Sequence, residues 1–336
     1  MRMGMIFPGQ GSQFLGMGKE LYDQERIVQE HFELASSCLD VNFVKLCFAS
    51  SEKKLREVAN TQTAIFLVSA SISAVLKERY GIVPDLVAGH SLGEYSAIHV
   101  AGGMTFPDSI YLLNKRSKFM DAAVRSQNGG MLAALKLPAD KLKLVCDQYD
   151  GSDGVEHVAE VANFNSPTQT VISGTIPELE KVKRDIEALG GKGIMLNVAG
   201  AFHSRMLKDA EKQFSVYLLK VDFRPLEIPL ANNIGGKLVW SPQSVQDSLV
   251  QQTSSHVYWW RAMQHFYKMD VIVEVGPGNK FAKMLRREWP EKTILSVNNQ
   301  DDINELLRVL GRKIPAVAPG IEQEYGEDFI SAHARV

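Results

Sequence analysis

The sequence predicts an α/β protein: an α/β-hydrolase-like large domain with a nucleophile elbow, interrupted by an inserted ferredoxin-like small domain. Three observations predict it. An apolar run, Leu86-Val87-Ala88, leads into Gly89-His90-Ser91-Leu92-Gly93 and at once into a helix-forming stretch. That is the strand-turn-helix pattern that lifts a serine hydroxyl out of a sheet, and Gly89 and Gly93 relieve the crowding on either side of the turn. A strand-helix-strand-strand-helix-strand rhythm fills residues 128–198. Val271–Val275 then runs into Gly276-Pro277-Gly278 and a helix, a second strand-turn-helix unit.

In chain order, Met3–Phe7 reads as the first strand, ending in the Gly-rich loop Pro8-Gly9-Gln10-Gly11-Ser12-Gln13. The loop lacks the lysine of a P-loop and the third glycine of a dinucleotide fingerprint, so it suits a source of free backbone N–H groups better than a phosphate cradle. Residues 14–60 read as broken polar helices, and Thr61–Tyr80 as a buried helix closed by Gly81. Pro107–Arg125 is an amphipathic helix, with Pro107 and Asp108 suited to its start. In the insert, the expected strands are Met131–Leu137, His157–Phe164, Thr168–Ser173 and Ile194–Val198, with helices at Pro138–Tyr149 and Pro177–Leu189. Ile228–Ala231 and Ile294–Val297 complete the large sheet. The expected division is a large domain of residues 1–127 and 199–313, a small domain of 128–198, and a tail of 314–336.

Composition narrows the function. A net charge of -2 argues against a nucleic-acid binder. Cys38, Cys47 and Cys146 are odd in number and lack C-x-x-C spacing, which argues against a disulfide framework or a metal site and fits a reducing compartment. No signal peptide is evident, and no apolar run approaches the roughly 20 residues a membrane helix needs. The expectation is a soluble, cytoplasmic monomer without membrane or nucleic-acid partners.

A serine nucleophile needs a general base. Of the eight histidines, His31, His99, His157 and His265 fall inside expected helices or strands, and His90 is a neighbour whose side chain diverges from that of Ser91. His203 follows a strand and precedes a helix, placing it at the carboxyl edge of a sheet, where α/β active sites lie. His333 is the rival, since hydrolases of this type carry their histidine late in the chain, but no strand precedes it. Arg116 falls on the apolar side of its helix, where an unpaired guanidinium is costly. A salt bridge to some carboxylate and a binding site for a ligand carboxylate explain it equally well at this point.

Together these stretches resemble the malonyl-CoA:acyl-carrier-protein transacylases of fatty-acid synthesis and the related acyltransferases of polyketide synthases, over about residues 3–310. Phe7-Pro-Gly-Gln-Gly-Ser-Gln13 is similar to the family's N-terminal loop, and Gly89–Glu94 to its acyl-carrying serine motif. Thr61-Gln62, Asn165-Ser166-Pro167, Gly200-Ala-Phe-His-Ser204, Leu249–Gln252 with Trp259, and Glu274–Gly278 complete the set. Two positions depart from the pattern: Thr63 and His256 stand where the family has proline.

The resemblance implies Ser91 and His203 as catalytic residues and the N–H groups of Gln10 and Leu92 as the oxyanion hole. Arg116 would then pair with the malonyl carboxylate, and Gln62, Asn165, His90 and Phe202 would line the substrate site. A bulky residue at 202 accompanies malonyl over methylmalonyl use. Gln252 would orient His203 through its backbone carbonyl, which explains the lack of a triad aspartate. Malonyl-CoA and an acyl carrier protein are the implied partners, with neither metal nor cofactor. An acyl hydrolase acting on carrier-protein thioesters is the alternative, although it would be expected to lack the arginine; a non-catalytic carrier-binding subunit would have lost Ser91 or His203.

Overall fold

In the computed structural model, residues 1–151 and 154–314 are described. The expected tail beyond Ile314, and with it His333, lies outside them.

Ten strands form two sheets: β1 Met3–Phe7, β2 Leu86–Gly89, β3 Gly129–Leu135, β4 Ala159–Ser166, β5 Gln169–Thr175, β6 Lys192–Met195, β7 Leu230–Ala231, β8 Leu238–Val239, β9 Val271–Val275 and β10 Thr293–Val297. The larger sheet has the order β10-β9-β1-β2-β7-β8 and is parallel except for the β7–β8 pair. Its central strands are buried on both faces, which is why they read as continuous apolar runs. Met3, Met5, Phe7 and Val87 pack with the helices Val58–Tyr80 and Phe106–Arg125 on one face. Ile6, Ala88 and Ile272 pack on the other, with Trp259, Phe266 and Phe281.

The helix Val58–Tyr80 corrects one expectation. It is 23 residues long with a mean hydropathy of 1.4 in its most apolar window, so by length and composition it could cross a membrane. Yet 83% of that window is buried within the protein. Four of its hydroxyl side chains, Thr61, Thr63, Ser71 and Ser73, find partners inside the fold: Thr61 Oγ1 donates to Leu55 O, and Ser71 Oγ to Leu67 O at 2.8 Å.

The smaller sheet, β4-β5-β3-β6, is antiparallel throughout and built entirely from residues 129–195. Leu132, Ala134 and Ile172 pack against the helices Ala139–Asp147 and Ile176–Ala188. Met131, Ala162 and Val171 face the opposite way, toward Met120, Val124 and Phe202. The last strand lies two to three residues earlier than expected, at Lys192–Met195. Its Gly193 sits against the Lys183 side chain, a close approach that the apolar pattern does not signal. Two register shifts in β4, at Val161/Asn163 and Phe164/Ser166, bend this strand and re-aim its side chains. Beside them Val257 N donates to Ala162 O at 2.8 Å and receives Phe164 N on its carbonyl at 2.9 Å, stitching the two sheets' layers together. His256 accompanies this pairing by contacting Val161 O.

Candidate active site

The carboxyl ends of β1, β2 and β7 lie side by side, so the loops that leave them converge. Gly89 ends β2, and a Cβ there would collide with the Gly93 backbone; Gly93 in turn packs on Phe7 O. Only two glycines allow so tight a turn. Ser91 between them has φ of 55°, the left-handed conformation expected of an elbow, and the helix Gly93–Val100 begins directly after it. The N–H groups of Gln10 and Leu92 make no hydrogen bond to another group among the described residues.

His203 also has a left-handed backbone, φ 58°, just before the turn Arg205–Leu207. Its Nε2 lies 2.7 Å from Ser91 Oγ and its Nδ1 2.9 Å from Gln252 O. A carbonyl can only accept, so Nδ1 carries the proton and Nε2 presents a lone pair to the serine hydroxyl. Burial, and after it the charge of Arg116, push the His203 pKa down to about 3. The imidazole is therefore neutral at any ordinary pH. Among the described residues, His203 is the histidine in contact with Ser91; the rival His333 lies outside them.

Arg116 is fully buried, and no carboxylate lies within 4 Å of it among the described residues. The salt-bridge explanation of its position is therefore excluded within the described chain. Its Nη1 donates to Gln62 Oε1 at 2.7 Å, and its Nη2 to Gln252 Oε1 at 3.0 Å and to Ser91 Oγ at 3.1 Å. Nε has no partner. The buried Glu94 carboxylate acts on this charge only from beyond contact distance, through Gln252, so the guanidinium's own donors meet neutral partners and an anion beside it would be favoured.

Gln10, Gln62, His90, Ser91, Asn165, Phe202 and His203 all line one cavity of about 610 Å³ between the two sheets. Arg56 and Lys280 stand on its wall, and among the described residues no Asp or Glu does. His90 Nε2 pairs with Asn165 Oδ1 at 3.0 Å while its ring stacks on Phe281 with centroids 4.8 Å apart. Burial, followed by the charge of Lys280, lowers its pKa to about 3 and keeps it neutral. Gln252 lies behind the cavity wall, where its side chain reaches Arg116 and its carbonyl reaches His203. Met120, Met131, Val171, Leu196 and Val198 supply the apolar remainder of the lining. The arrangement can deprotonate a serine, accept negative charge on two free N–H groups, and hold an anionic acyl group beside the nucleophile.

Fold and site thus define an acyl-transferring enzyme as the class, and residues 5–309 match the family model described as acyl transferase domain. Within that class the chain belongs to the malonyl CoA-acyl carrier protein transacylase family. It is 32% identical over 312 residues to the malonyl CoA-acyl carrier protein transacylase of Bacillus subtilis (strain 168), covering 92% of this chain and 97% of that protein. The acyl-carrier-protein S-malonyltransferase of Burkholderia pseudomallei 1710b superposes with a TM-score of 0.87 at 33% identity, covering 92% of this chain and 100% of that one. A malonyl-transacylase solved in complex with its type II PKS acyl-carrier protein gives a TM-score of 0.88 at 29% identity, again covering 92% and 100%.

Sequence reading assigned no role to several polar residues of this region. Asn233 follows β7, and Glu94 sits one residue beyond the elbow motif; both are fully buried beside Ser91. Asn163 and Lys280 join the cavity wall. The signal for Asn233 was its place after a short strand at the carboxyl edge of the sheet, the same signal that found His203.

Proposed function

We propose that this protein transfers a malonyl group from malonyl-CoA to the phosphopantetheine thiol of an acyl carrier protein, through a malonyl ester on Ser91, for fatty-acid or polyketide synthesis. One observation carries this reading: a fully buried arginine without a carboxylate partner touches the nucleophile. Such a charge calls for an acyl group that brings its own carboxylate. In the first half-reaction His203 Nε2 takes the Ser91 proton while Oγ attacks the thioester carbonyl. The Gln10 and Leu92 N–H groups hold the oxyanion, and the thiolate of coenzyme A leaves with the proton from His203. In the second, His203 takes the proton of the carrier's thiol, whose sulfur attacks the ester, and Ser91 Oγ recovers that proton. Burial is the main cause that depresses His203 and the charge of Arg116 the second; the malonyl carboxylate on Arg116 offsets the second, so substrate binding itself strengthens the base. The charged acyl group is also held away from water, which disfavours the hydrolase alternative. Serine, histidine and arginine account for every proton and charge in this scheme, with no cofactor beyond malonyl-CoA as substrate.

The architecture is read as an α/β-hydrolase-like large domain, residues 1–127 and 199–313, with a ferredoxin-like small domain of 128–198 forming the cavity's second wall. The order β4-β5-β3-β6 supports the latter, being the antiparallel arrangement that a strand-helix-strand-strand-helix-strand unit makes. The free thiols of Cys38, Cys47 and Cys146 support a reducing, cytoplasmic setting; the monomer is taken as the working unit.

The test is intact-mass spectrometry. Mixing with malonyl-CoA should add one malonyl group to Ser91, and holo-carrier protein should then remove it and gain the same mass. Loss of the group to water at the same rate with or without carrier would favour the hydrolase.

Phe202 is 5% exposed and packed among Met120, Met131 and Val171. With the carboxylate on Arg116 and the carbonyl at Ser91, an α-methyl on the acyl group would press on this stiff wall, and overpacking costs roughly 1–3 kcal/mol, or about 5- to 150-fold in preference. Phe202→Ser should narrow the gap by raising methylmalonyl loading. The ratio of the two acyl-enzyme masses under donor competition measures it, and an unchanged ratio would place selectivity elsewhere.

A further inference from the structure

Ser91 holds a left-handed backbone that a serine adopts only when its surroundings impose it. The imposing group is the buried side chain of Asn233, reached across the sheet from β7. Its Oδ1 accepts from Ser91 N at 2.8 Å, and its Nδ2 donates to Gly89 O at 2.7 Å, so one amide grips the elbow on both sides of the turn. The Asn233 backbone N–H donates to Glu94 Oε1 at 2.8 Å, which keeps the asparagine itself in place. The other oxygen of Glu94 receives Gln252 Nε2, and the same Nε2 donates to Ser91 O at 2.9 Å. Gln252 then extends the frame to Arg116 through Oε1 and to His203 through its carbonyl. Both ends of the Asn233 amide are used, and Glu94 faces donors only.

We infer that Asn233 and Glu94 are positioning residues for the acyl transfer proposed above, clamping the elbow and joining nucleophile, base and carboxylate-binding arginine in one hydrogen-bonded frame. Because Asn233 occupies the Ser91 N–H, that group is removed from the oxyanion site, and Leu92 N–H is left as the elbow's free donor. Neither residue touches the cavity, so both act through Ser91 and Gln252 rather than on substrate.

The experiment measures single-turnover malonylation of Ser91 by rapid quench and intact mass, alongside steady-state KM for malonyl-CoA, for Asn233→Ala, Asn233→Asp and Glu94→Gln. Asn233→Ala should slow acylation by about 10- to 100-fold, the scale of a misplaced reacting group, with KM within about threefold. Asn233→Asp keeps the acceptor for Ser91 N–H but sets an oxygen against Gly89 O, so it should not rescue the rate. Glu94→Gln offers one acceptor to two donors and should slow the same step; combined with Asn233→Ala the losses should be less than multiplicative. Folded variants that acylate within threefold of wild type, or whose loss lies wholly in KM, would overturn the inference. If Asn233→Ala does not fold, Glu94→Gln alone decides by the same criteria. A wild-type protein that never loads malonyl would instead refute the proposed function, and the two failures are distinct.

Discussion

Replacing Ser91 by alanine should abolish the acyl-enzyme, and replacing His203 by alanine should slow its formation by on the order of a thousandfold or more. The two side chains form one functional contact of 2.7 Å. His90, the nearest other imidazole, is committed to Asn165 and stacked on Phe281. The double variant should therefore be no slower than Ser91→Ala alone, as expected of residues that act as a unit. Rapid quench with labelled malonyl-CoA reads both variants. A His203→Ala enzyme loading at near the wild-type rate would remove His203 from the role of base.

Arg116→Ala should weaken malonyl loading severely while leaving acetyl loading equal or better. Removing one partner of a buried charged pair costs about 2–5 kcal/mol, so a loss of at least ~30-fold is expected for malonyl. Acetyl brings no carboxylate and gains nothing from the guanidinium. The same substitution tests the electrostatics. Burial and then Arg116 hold the His203 pKa at about 3, because the guanidinium opposes an imidazolium beside it. Removing that charge raises the pKa toward its ordinary value, so the acid limb of acylation should move to higher pH in the variant. A limb that stays in place would mean that burial alone depresses His203.

Much of this site was legible because its parts are local. The elbow announces itself through two glycines around a serine, and the structure shows the collision each of them avoids. The central strands were legible because strands covered on both faces are apolar without interruption. Arg116 was legible as an oddity, a charge on an apolar helix face, but its meaning needed the structure to show that no carboxylate meets it. What stayed hidden depends on topology. Asn233 matters because β7 pairs with β2, a neighbour about 140 residues away in sequence, and no local pattern encodes that pairing. The Gln252 carbonyl is a backbone group that any residue carries, so only the family resemblance pointed to it. The two-residue strand β8 is too short to show a period, and the helix Val58–Tyr80 starts one turn earlier than expected, at Val58-Ala59-Asn60, where no N-cap side chain marks its beginning.

The most direct test of the central claim is a competition of malonyl-CoA against acetyl-CoA, read as the ratio of the two Ser91 ester masses in wild type and in Arg116→Ala. The buried, carboxylate-free guanidinium predicts a strong malonyl preference in the wild type that collapses or inverts in the variant. An equal loss of both esters would make Arg116 a structural residue and contradict the account.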